Sequence, residues 1–202
     1  MNPMLDQALN YAQEHFKIFP LKVNSKSEQI LKSWKKEATD DLHQVQTWWR
    51  EYPNANIGVK TGDGFIVIVV ANNNERNGKE IIEPYIKKFP NTRIVRTPND
   101  DWHFYYYVDR DIPCHIDLYE EIDIQGEGGY VVGAGSQIDD RKYFVSLDTP
   151  IAKANEAVYD FINRKDNYPT KQLKDYEKIY EGKRNDYLYK IACFLQQKGL
   201  TD

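Results

Sequence analysis

Six consecutive apolar residues, Phe65-Ile66-Val67-Ile68-Val69-Val70, constrain the fold more than any other stretch of this chain. β-Branched side chains dominate the run, no polar residue interrupts it, and Gly62 and Gly64 bound it on one side, so it reads as a central strand. Asn56-Ile57-Gly58-Val59 is a second run of the same kind. The Thr61-Gly62-Asp63-Gly64 segment between the two is the signature of a hairpin with a glycine-containing loop.

The flanking sequence predicts helices laid on a sheet. Leu5, Ala8, Leu9, Ala12 and Phe16 recur at helical spacing over residues 5–16, and Phe19-Pro20-Leu21 then reads as a short strand. Thr39-Asp40-Asp41 caps a second helix, with Leu42, Val45, Trp48 and Trp49 on one face and Pro53 at its end. A third helix is predicted over 78–89, with Ile81, Ile82, Tyr85, Ile86 and Phe89 inward and Pro90 as its stop. Strands are predicted at 93–96, 103–108, 122–124, 130–132 and 142–147, the fourth and third joined through Gln125-Gly126-Glu127-Gly128-Gly129. A closing helix over 154–164 completes one domain, residues 1–164. Several strands follow one another directly, which indicates an α+β fold in two layers rather than a doubly wound parallel sheet. Residues 165–183 are polar and charged and read as a linker. Leu188, Ile191, Ala192 and Leu195 then form the stripe of a helix that opens a second domain, over 184–202.

Of the 202 residues 41% are hydrophobic and 29% charged, ordinary for a globular protein, and no apolar run approaches the roughly 20 residues that cross a bilayer. The first residues lack the basic start and apolar stretch of a secretory signal, which predicts a cytoplasmic protein. Cys114 and Cys193 are the only cysteines, far apart, and read as free thiols. A net charge of −4 argues against a broad electrostatic coat on DNA, so any nucleic-acid contact is local. Fifteen tyrosines and the neighbouring Trp34, Trp48 and Trp49 supply either core packing or stacking surfaces for bases, and core packing is the favoured reading.

Taken in order, ALNYAQEHFKIFPLKVNSK, SWKKEATDDLHQVQTWW, NANIGVKTG, RIVRTPNDDWHFYYYV and EIDIQGEGGYVVGAGS resemble the amino-terminal domain of bifunctional primase-polymerases, a family of the archaeo-eukaryotic primase superfamily. The likeness runs from Ala8 to Leu147. The closing tract EGKRNDYLYKIACFLQQKGLTD is similar to the opening of the helical primase C-terminal domain that often follows. Order and coverage carry the resemblance, since NIG, a glycine-rich loop and an aromatic strand each occur in unrelated folds.

The resemblance implies a core of the RNA-recognition-motif type, with nucleotide and metal bound on an exposed sheet face. It implies template-directed nucleotidyl transfer in the replication of a phage, plasmid or other mobile element. Its partners are then single-stranded DNA template, nucleoside triphosphates and a helicase domain, and its cofactor is Mg²⁺ or Mn²⁺. Three motifs build the family's site: a strand ending in Asp-x-Asp, a histidine heading a strand, and a later acid after an apolar position. His103 matches the second, for triphosphate, and Asp123 the third, for metal. The chemistry needs several carboxylates, because two divalent ions roughly 3.5 to 4 Å apart must hold the attacking and leaving oxygens. An Asp-x-Asp on a strand sets both carboxylates on one face.

In this sequence those two positions hold Val69 and Ala71, neither of which can ligate a metal. Other departures fall nearby: Asp100-Asp101 replaces a glycine pair ahead of the histidine, and Ala134-Gly135 replaces Pro-Pro before Ser136. The new aspartates could supply substitute carboxylates. Ser136, Lys26 and Arg76 are candidate nucleotide contacts, Lys60 is a further candidate for phosphate or template, and 126–129 is either a phosphate-approaching loop or a tight hairpin. The alternative function is a nucleotide- or DNA-binding module of a replication initiator or helicase-primase that has lost catalysis, or a structural remnant.

Overall fold

Nineteen short elements follow one another in a computed structural model that describes residues 2–73, 76–119 and 121–163. The first half contains α1 (Pro3–Gln13), β1 (Ile18–Leu21), α2 (Trp34–Glu37), α3 (Leu42–Glu51), β2 (Asn56–Lys60), β3 (Phe65–Val70), β4 (Asn72–Asn73), β5 (Arg76–Asn77) and α4 (Gly78–Ile86). The second contains β6 (Ile94–Arg96), β7 (Trp102–Tyr107), β8 (His115–Tyr119), β9 (Ile122–Gln125), β10 (Tyr130–Val132), β11 (Gln137–Ile138), β12 (Arg141–Lys142), β13 (Phe144–Leu147), β14 (Ala152–Lys153) and α5 (Glu156–Ile162). The mixture is α+β, as the sequence predicts.

Two sheets dominate. A small antiparallel sheet has the order β1-β2-β10, and a larger one the order β13-β6-β7-β3-β9-β8, with β14 pairing parallel to the far end of β7. The apolar β3 lies between β7 and β9, covered on both faces, which is why its sequence contains no polar alternation. Its odd-numbered residues Phe65 and Val67, with Val95 and Tyr105 of the neighbouring strands, join a core with the small sheet, α1 and α3. Its even-numbered residues Ile66, Ile68 and Val70 face α4 and α5, meeting Ile81, Ile82, Tyr85, Phe161 and Ile162.

Local chemistry sets the helix ends. Asn2 caps α1 by accepting from the Met4 amide at 3.0 Å, with Pro3 as the first helical residue. Asp41 caps α3 by accepting from the Gln44 amide at 2.7 Å. Trp49 of α3 is fully buried and donates its indole N–H to the Ala55 carbonyl at 3.1 Å, and Trp34 stacks on Phe19 at 4.6 Å, so the tryptophans serve packing. α4 ends at Ile86 rather than Phe89, because the chain tightens there into turns in which the Lys88 amide donates to the Tyr85 carbonyl at 2.8 Å and the Phe89 amide to the Ile86 carbonyl at 3.2 Å; Phe89 is nevertheless buried in the core.

The predicted pairing of β2 with β3 is overturned. The two strands belong to different sheets, because Gly62, Asp63 and Gly64 all take positive φ and turn the chain from the small sheet into the large one. β9 and β10 likewise belong to different sheets, the chain crossing between them over 126–129, where Gly128 takes positive φ. The two crossings clasp each other: Thr61 donates its hydroxyl to the Gly126 carbonyl at 2.7 Å, and the Asp63 amide donates to Glu127 Oε1 at 2.7 Å. Glycine is required at 126, where a Cβ would stand 2.0 Å from the Ile112 carbonyl oxygen. The predicted strand over 142–147 is split, with Arg141–Lys142 pairing β11 and Phe144–Leu147 forming the edge of the large sheet. Edge strand β8 is an addition that alternation did not signal. The linker at 165–183 and the helix over 184–202 lie outside the described residues.

Candidate functional site

Register across the large sheet brings the sequence-predicted positions into one line. Val69 stands directly opposite His103 in the β3–β7 ladder and directly opposite Asp123 in the β3–β9 ladder, and Val95 stands opposite His103 on the other side. Residues directly opposite in antiparallel strands project to the same face, with Cβ atoms roughly 4.5 to 5.5 Å apart. The row Val95, His103, Val69, Asp123 therefore lies on the face that carries the first core, and Val69 is half-buried at that core's margin.

His103 is 6% exposed, and its Nδ1 is buried without a hydrogen-bond partner among the described residues. The Tyr143 ring leans over it at 6.2 Å. Burial pulls the imidazole down to about 4, so it is neutral at pH 7 and offers one donor and one acceptor rather than a charge. The same burial, with a smaller push from the charge of Asp101, raises the Tyr143 phenol to about 12. Asp123 is half-buried between the buried Ile122 and Ile124.

The neighbouring aspartates do not replace the missing pair. Asp100 is drawn away by cations and an amide: Lys79 Nζ at 3.0 Å, Asn72 Nδ2 at 3.1 Å and the Arg96 guanidinium. Asp101 accepts from the Thr97 hydroxyl at 3.0 Å and from the Asn72 amide at 2.8 Å. Among the described residues no three His, Cys, Asp or Glu side chains come together in a way that could hold a metal ion. An isopropyl group between the imidazole and the one carboxylate of the row adds a desolvation cost to the missing charge. The residues present therefore do not fit a two-cation centre.

The remaining candidates are scattered. Ser136 is fully buried, and its Oγ accepts from the Ile57 amide at 2.9 Å, tying the end of the β10 segment to the small sheet. Lys26 is exposed in the loop after β1, where its carbonyl accepts from the Tyr130 hydroxyl at 3.2 Å. Lys60, at the end of β2, pairs with Asp63 at 3.3 Å. Arg76 lies in β5, in the small hairpin after β3, and its side chain lies outside what is described. The glycine loop 126–129 spends two of its carbonyls on Thr61.

Sequence reasoning passed over Lys79 and Arg96. Lys79 is 7% exposed at its side chain, with Nζ lying 4.3 Å from the centroid of the Trp102 ring. Its place three residues before Ile82, on the inward stripe of α4, was the available signal.

No curated protein matches the chain. The model of one family, described as bifunctional DNA primase/polymerase, N-terminal, matches residues 8–157, from α1 into α5. That match covers most of the sequence and includes every strand of both main sheets, so this chain belongs to the bifunctional DNA primase/polymerase N-terminal family.

Proposed function

We propose that this chain is a primase-polymerase-type domain of mobile-element DNA replication that holds nucleotide and single-stranded template but has lost efficient metal-dependent nucleotidyl transfer. The observation that carries this reading is the register of Val69 between His103 and Asp123. The heading histidine and the third-motif acid that the resemblance calls for are present, while the strand that should supply two carboxylates supplies none. On this reading β6, β7, β3 and β9 with α4 and α5 behind them are the RNA-recognition-motif-like core. His103, donating as a neutral ring, meets a phosphate oxygen, Asp123 is the residual metal contact, Lys26 and Arg76 border the bound strand or nucleotide, and Ser136, named among the nucleotide contacts by the sequence, serves instead to hold the small sheet. The protein works in the cytoplasm beside a helicase domain, supplied downstream or by another chain.

Primer synthesis on single-stranded template, with Mn²⁺ and deoxynucleoside triphosphates, tests the proposal. The chain as it stands should make no product while still binding triphosphate in calorimetry, and the double substitution Val69→Asp, Ala71→Asp should restore Mn²⁺-dependent synthesis. Robust synthesis by the unaltered chain would overturn it.

A further inference from the structure

The far face of the large sheet, opposite the His103 row, carries a second polar cluster that the nucleotide site does not use. Arg96 and Trp102 stand directly opposite each other in the β6–β7 ladder, and Phe144 of edge strand β13 stands opposite Arg96. All three thus project to the α4 side, where Lys79 Nζ lies over the Trp102 ring. The Arg96 guanidinium carbon lies 6.0 Å from the Phe144 ring centroid, and Phe144 is 50% exposed. Arg141, also exposed, reaches the same hairpin loop by donating to Asn99 Oδ1 at 3.3 Å.

One carboxylate sits at the centre of this cluster. Asp100 binds Lys79 through one oxygen and Arg96 through the other, from a loop position with φ of 69° and a side chain 45% exposed. A carboxylate bridging two cations has the geometry that a phosphodiester would adopt there, since both offer two anionic oxygens to separate donors. Donor capacity is left over: the Trp102 indole N–H and Arg96 Nε are buried without partners among the described residues. Asp101, the next acid, is turned toward Thr97 and Asn72. Two cations, spare donors and a half-exposed aromatic ring at the rim match what single-stranded nucleic acid asks of a protein, a charge for the backbone and a flat surface for a base.

We propose that Lys79, Arg96 and Phe144 form a second site for one nucleotide unit of single-stranded DNA, with its phosphate between the two cations and its base on the Phe144 ring, and that Asp100 occupies the phosphate position when the strand is absent. The choice of nucleic acid as ligand rests on the replication reading above; the site itself does not, because it lies on the other face of the sheet. The internal carboxylate competes with the strand, so affinity is held down by the fraction of molecules in which Asp100 is seated.

Fluorescence anisotropy with a labelled oligodeoxythymidylate, and its competition by inorganic phosphate, tests this on the full chain. Asp100→Asn keeps a residue that accepts positive φ but removes the competing charge, and should tighten oligonucleotide binding about tenfold. Phe144→Ser, at an exposed position, should weaken it about tenfold while leaving inorganic phosphate competition intact in the Asp100→Asn background. Melting curves confirm that both variants fold. Equal oligonucleotide affinity in all three proteins would overturn the site while leaving the His103 face untouched, and so would phosphate binding indifferent to Asp100. Loss of triphosphate binding in His103→Ala with the Asp100→Asn gain preserved would separate the two faces.

Discussion

Val69 and Asp123 face each other across the β3–β9 ladder, an isopropyl group against a carboxylate. In a sheet built for cations that contact is a mismatch, and in a sheet that must fold without them it is a relief. Two carboxylates set opposite on adjacent strands repel, by about 1 kcal/mol in water and more where solvent is partly excluded.

Val69→Asp alone should therefore destabilise the protein in chelator. A loss of about 1 kcal/mol lowers Tm by roughly 2 to 4 °C for a chain of this size. Mn²⁺ should return part of that loss to the variant and nothing to the parent, because only the variant has two carboxylates to share an ion. Thermal melts with and without Mn²⁺ decide it. A variant as stable as the parent in chelator would mean that the side chains at 69 and 123 do not meet.

His103 makes stability depend on pH. Its imidazole is held near 4 by burial in the folded protein and returns to 6.5 when the chain unfolds. Between those values the unfolded state binds more protons, so stability falls as pH drops through that window and is fully present above it. The whole effect amounts to about 3 kcal/mol. Urea midpoints taken from about pH 7 to about pH 4.5 should fall for the parent and fall much less for His103→Gln. A slope that survives the substitution would assign the loss to other groups.

The parts of this fold that are legible in sequence are those set by near neighbours. The Asp41 cap, the inward stripe of α1 and the unbroken apolar run of β3 each follow from chemistry within a few residues. Partners across the fold were not legible. A Gly-Asp-Gly loop announces a turn but not its destination, and here three residues of positive φ carry the chain into another sheet. The site shows the same division. His103 and Asp123 could be picked out by motif, but their shared row with Val69 is a property of register, which no single strand contains. Asp100 looked like a spare carboxylate, and its engagement by Lys79 and Arg96 depends on two elements that meet it only in the folded protein.

Ser136 separates a role in the fold from a role in binding. Its hydroxyl is wholly buried and is the acceptor for the Ile57 amide in the small sheet. Its own backbone is held on both sides, the amide by Gly133 and the carbonyl by the Tyr143 amide. Removing the hydroxyl leaves a buried N–H without a partner, a loss of about 1 to 3 kcal/mol. Ser136→Ala should accordingly lower the urea midpoint, while calorimetric affinity for a deoxynucleoside triphosphate, measured well below the melting temperature, stays at the parent value. A side chain that touched nucleotide would give the reverse pattern, with affinity lost and stability little changed, because a hydroxyl reaching for a ligand is left to water when the ligand is absent.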